Sequence, residues 1–130
     1  METTELLKKM LAEHAAWQNK IVSIRSEIKL LNQDLSNIVS KFTPREVPAK
    51  AEHFQNQFIL QNEVLDIMRH DFKQYENLLE ANIEKPGKLE IGTIMQGHQQ
   101  HVDRLNDYEK LFKELKDEFN EFSSKQVQLS

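Results

Sequence analysis

A chain of 130 residues with 38% apolar and 29% charged residues of both signs has the size and composition of one folded helical domain, not of a disordered segment. It has no cysteine, which excludes disulfides and thiolate chemistry. The formal charge of -4 and pI near 5.7, with Lys8-Lys9 as the densest basic run, argue against a nucleic-acid surface, which would concentrate Lys and Arg on one face. No apolar run approaches a membrane span, and Met1 to Glu5 lacks the basic-then-apolar order of a signal peptide, so the expected location is cytoplasmic, away from membranes.

From about Thr4 to Phe42 neither Gly nor Pro interrupts the chain. Over this stretch Leu7, Met10, His14, Trp17, Ile21, Ile24, Ile28, Leu31, Leu35, Ile38 and Phe42 recur alternately three and four residues apart. That heptad stripe predicts a single helix of roughly 55 Å, at 1.5 Å per residue, which Thr3 or Thr4 can cap. His14 alone breaks its apolar character. The run Thr43-Pro44-Arg45-Glu46-Val47-Pro48 then ends the pattern, since its prolines remove donors and Pro48 biases Val47 away from helix. Thr43 through Glu46 also matches a capping box with proline at the first helical position, which predicts a short extra turn there.

The second helix is predicted from about Pro48 to Asn82, on the stripe Ala51, Phe54, Phe58, Gln61, Leu65, Met68, Phe72, Tyr75, Leu79. A neighbouring row, Leu60, Val64, Ile67, Asp71, Leu78, is almost as apolar, so this helix has a wide face suited to two neighbours or to another subunit. Gln61, a lone polar residue in the seam, reads as a register-setting position.

Pro86-Gly87 marks the next turn, and Ile91, Ile94, His98, His101, Leu105, Tyr108, Phe112, Leu115, Phe119 and Phe122 form the third stripe. A capping box at Thr93 to Gln96 allows this helix to start as late as Thr93. Its end is expected near Phe122 to Ser124, with residues 1–125 forming one domain and 126–130 a frayed tail. Glu109 with Lys113 and Glu121 with Lys125, each pair four apart, mark its solvent face. The fold class is therefore all-α: an up-down-up bundle of three long antiparallel helices with coiled-coil-like heptad packing.

Histidine is an unusual residue for a bundle seam, and Gly97-His98-Gln99-Gln100-His101 supplies two side by side. Reflecting the chain about its turns, near residues 45 and 86, places His14, His98 and His101 on one level. The second helix brings Tyr75 to that level from its stripe and Asp71 from its flank. His14, Asp71, His98 and His101 would make a first shell for zinc or iron. The favoured reading is instead a structural polar layer whose ring nitrogens find partners in Tyr75, Tyr108, Asp71 or buried water, with the metal shell as its alternative. His70 reads as solvated, and His53 lies far from the layer.

In length and in histidines on long helices the chain resembles hemerythrin-like proteins, but neither His-x-x-x-Glu nor His-x-x-x-His occurs in it. The Glu-x-x-His of ferritin-like carboxylate proteins is missing too, and the chain is assigned to no family. It carries no phosphate-cradling glycine loop, nucleophile elbow or His-Glu-x-x-His. The residues favour a non-enzymatic interaction or structural bundle, self-associating or binding a helical partner. A metal-binding bundle with a sensing, storage or catalytic role is the alternative. A homodimer or larger assembly is expected, because three helices leave the row of Leu60, Val64, Ile67 and Leu78 partly exposed.

Overall fold

A heptad stripe stabilises a helix only when other stripes cover it, and here three such stripes cover one another. The computed structural model describes residues 3–41, 48–87 and 89–129. Among the described residues are three helices, α1 (Thr3–Lys41), α2 (Pro48–Glu84) and α3 (Ile91–Leu129), and no strand. Ile21, Ile28 and Leu35 of α1, Phe58, Leu65 and Phe72 of α2, and Leu105, Phe112 and Phe119 of α3 are all buried in one core. The rings of Phe54 and Phe119 meet edge to face at 5.2 Å, the geometry that aromatic quadrupoles favour.

A second, smaller cluster of Leu7, Met10, Leu79 and Ile94 fills the end of the bundle beside the α2–α3 turn. Asn82 holds that turn: its amide donates to the Leu78 carbonyl at 2.8 Å, and its side-chain oxygen accepts the Leu89 N–H at 3.3 Å. Gly87 takes a φ of 96°, which the turn requires and which side chains rarely allow. Helix α2 runs two residues past Asn82, to Glu84. Helix α3 begins at Ile91, ahead of the Thr93 capping box, because the Glu90 carbonyl already accepts the N–H groups of Thr93 and Ile94. It also continues past Phe122–Ser124 to Leu129, as no Gly or Pro in that stretch stops it. The extra turn expected at Thr43 to Glu46 lies outside the described residues.

The three seams are closed differently. Between α1 and α3, Lys20 pairs with Glu109 at 3.4 Å and Glu27 with Lys116 at 3.0 Å. Between α1 and α2, Gln18 donates to Glu76 at 2.8 Å and Arg25 pairs with Asp66. Between α2 and α3, Asp71 pairs with Arg104 at 2.7 Å. Such pairs, exposed or partly so, contribute little stability individually, about 0–1 kcal/mol. Helices α1 and α2 pack most closely, and α3 lies less tightly against them. None of the described helices is long and apolar enough to cross a membrane.

Candidate functional site: a histidine layer and an apolar seam

The heptad register that buries Leu7 and Ile21 also buries the residue midway between them, His14. The same register on α3 carries His98 and His101 inward. The three rings meet on one level, as chain length predicts, His14 lying 5.5 Å from His98 and 5.5 Å from His101, centre to centre. Aromatic side chains enclose them: Tyr75 stacks on His14 at 5.3 Å, Trp17 on His98 at 5.0 Å, and Phe72 lies 4.7 Å from His101. The layer divides the core. Along each helix it separates the small end cluster from the large one.

Its polar groups are unevenly served. His98 donates from Nε2 to the Glu13 carboxylate at 2.6 Å, leaving its Nδ1 buried without a partner among the described residues. Neither nitrogen of His14 has a hydrogen-bond partner among the described residues, although the residue is 0% exposed. The nearest carboxylate oxygen, on Glu76, stands 4.0 Å from Nδ1, too far to accept a hydrogen bond. His101 Nδ1 is likewise buried with no partner among the described residues. Burial therefore pulls the His14 pKa down from 6.5 to about 4, helped by the charges its two histidine neighbours would carry. His101 is lowered too, by burial first and then by Arg104. Burial raises the Tyr108 hydroxyl, which donates to the Gln61 carbonyl at 3.4 Å. The side-chain oxygen of Gln61 is itself buried without a partner among the described residues.

Asp71 does not join the imidazoles as a ligand would, because its carboxylate is held by Arg104 on the bundle flank. Its charge still reaches His101, opposing the downward shift there. Among the described residues no group of three His, Asp or Glu side chains is arranged to hold a metal ion, the alternative reading of this layer. His53 and His70 are exposed, the latter on the outer face of α2.

Tyr75 is the hinge between this layer and α3. Its hydroxyl donates to the Ile94 carbonyl, and its ring fills the space where a side chain at position 97 would stand. A Cβ on Gly97 would fall 2.9 Å from the Tyr75 ring, closer than packed atoms tolerate. Gly97→Ala is expected to lower stability by roughly 1 kcal/mol, because the displaced ring outweighs the better helix propensity of alanine. Gly92→Ala, with open space around it, should not. Thermal melts of the two variants check this; equal midpoints would mean that Tyr75 moves aside freely.

The second feature lies on the α2–α3 seam. Val64 stands one heptad before Asp71, and Leu111 one heptad after Arg104, so in antiparallel helices the two occupy the place of that ion pair one layer along. Leu60 and Ile67 flank Val64 on its outer side. Leu60 is 47% exposed, Ile67 55% and Leu111 58%, while Val64 is half-buried against the core. The row Leu60, Val64, Ile67 was legible from α2 alone, but Leu111 belongs to no stripe. Its sign was the seven-residue step from Arg104, visible only once Arg104 is known to face α2. Comparison with known protein families, with curated proteins and with solved structures finds no match to this chain.

Proposed function

We propose that this protein is a non-enzymatic association module whose α2–α3 seam receives a further helix, from a second copy or from another helical protein. The observation that carries the reading is the replacement of a seam ion pair by Val64 and Leu111, with Leu60 and Ile67 exposed beside them. Exposed large apolar residues scattered singly are ordinary on a protein surface, but neighbours on one seam are not. A helix laid there would present anchors at three- and four-residue spacing and complete a four-helix arrangement. The groove along α1 beside Val22 is a weaker candidate, because Ser26, Asn32, Gln33, Ser36 and Asn37 line it and Arg25 is engaged by Asp66.

The test combines light scattering with titration of a synthetic amphipathic peptide carrying Leu at heptad a and d positions and neutral flanks. At micromolar concentration we expect either a mass above the 15.3 kDa monomer or saturable peptide binding. Ile67→Asn with Leu111→Asn should abolish whichever is seen without lowering the melting temperature, since both residues are exposed. A monomer that binds no peptide would sink the proposal.

A further inference from the structure

Resting on that association reading, we infer that the seam is built for a helix of a different protein with a basic flank, and not for a second copy of this chain. The apolar residues are bordered by carboxylates. Glu63 sits between Leu60 and Ile67 on the outer side of α2, Asp107 and Glu114 lie one turn either side of Leu111, and Glu118 follows Leu111 by a heptad. All four are exposed, and none enters an ion pair among the described residues. The other acidic residues of this helix face are already engaged: Asp117 by Lys113 at 3.7 Å, Glu121 by Lys125 at 3.2 Å, Asp103 by Gln99 at 3.0 Å. Lys110 interrupts the acidic border one row further out, and Arg104 is neutralised by Asp71.

Charges around the rim of an interface choose the partner and speed its arrival more than they add affinity. In a two-fold contact between copies, the same patch meets itself, so Asp107, Glu114 and Glu118 of one chain would face the same three in the other. Their repulsion disfavours self-pairing. A helix with Leu or Ile anchors flanked by Lys or Arg meets the apolar centre and the acidic rim together, which is how such surfaces discriminate between partners of equal hydrophobicity.

Two further synthetic peptides test this: the same Leu heptads with Lys at the flanking e and g positions, and with Glu there. At low salt the Lys peptide should bind at least about tenfold more tightly than the Glu peptide, with the gap narrowing as salt screens the rim. The triple variant Asp107→Asn, Glu114→Gln, Glu118→Gln should erase most of the preference while the neutral peptide still binds. Ile67→Asn with Leu111→Asn should remove binding of the Lys peptide as well, which separates docking from general attraction of a cationic peptide to an acidic protein. Equal affinity for both flanked peptides, or a stable dimer of the chain alone, overturns the charge inference and leaves the association reading standing. Loss of all binding, with a monomeric mass, removes both.

Discussion

Lowering the pH from 7.5 to about 4.5 is expected to remove about 2–3 kcal/mol of stability through His14 alone, lowering the melting temperature by roughly 10 °C. The unfolded chain takes up a proton near the ordinary value of 6.5, whereas folded His14 resists protonation down to about 4. Above 6.5 both states are neutral and the contribution is fully present. Below it the unfolded chain binds a proton that the folded one refuses, so stability falls until the folded group also titrates. His101, lowered in the same direction, adds to the loss.

Carboxylates on two helices face the layer, and that of Asp71 opposes the downward shift of His101. Glu13 of α1 holds His98, Glu76 of α2 stands 4.0 Å from His14, and Asp71 of α2 acts on His101 against the nearby positive charge of Arg104 on α3. Because the layer lies between the two core clusters, its protonation should first loosen the end that contains Leu7, Leu79 and Ile94. Amide protection near the α2–α3 turn, measured against the intrinsic exchange rate at each pH, should fall at pH 5 before that around Phe58 and Phe119.

His14→Leu is the decisive variant. The imidazole makes no hydrogen bond to another described residue, so replacing it with an apolar side chain of similar size strands no protein partner. At pH 7.5 the variant should be at least as stable as the parent, and much of the acid sensitivity should disappear. A loss of more than about 1 kcal/mol at pH 7.5 would show that the buried nitrogens are hydrogen-bonded in solution and that the layer stabilises the fold.

Ile28→Asp should have a still larger effect. Ile28 is 0% exposed at the middle of the α1 stripe, inside the large cluster. A carboxylate there would be desolvated without a cation beside it, at a cost of about 4 kcal/mol or more, a large part of the total stability of a domain this size. Leu30→Asp, two residues further along the same helix at a position 61% exposed, should change stability by less than about 0.5 kcal/mol. Chemical denaturation of both variants measures the difference. If Ile28→Asp unfolded at the same denaturant concentration as the parent, the stripe would not be the core.

Periodicity alone makes the architecture of this protein legible. Three stripes of alternating three- and four-residue spacing require three helices that bury one side each, and prolines and glycines between them require reversals. The levels follow from chain length, so the meeting of His14 with His98 and His101 could be read in advance. Spacing does not say which way a flanking side chain turns. Asp71 was within reach of the histidines or of a neighbouring helix, and Arg104 on α3 took it, since a guanidinium at hydrogen-bond distance outcompetes a neutral imidazole for a carboxylate. Asn82 reads as one more polar residue near a helix end, yet it bridges the last turn of α2 to Leu89 because the loop returns over it. The open seam is likewise a property of two helices together. Leu111 looks like an isolated surface leucine until antiparallel packing sets it one heptad from an ion pair and level with Val64. Local sequence determines which residues must be buried, whereas only the register between helices decides which exposed residues become neighbours.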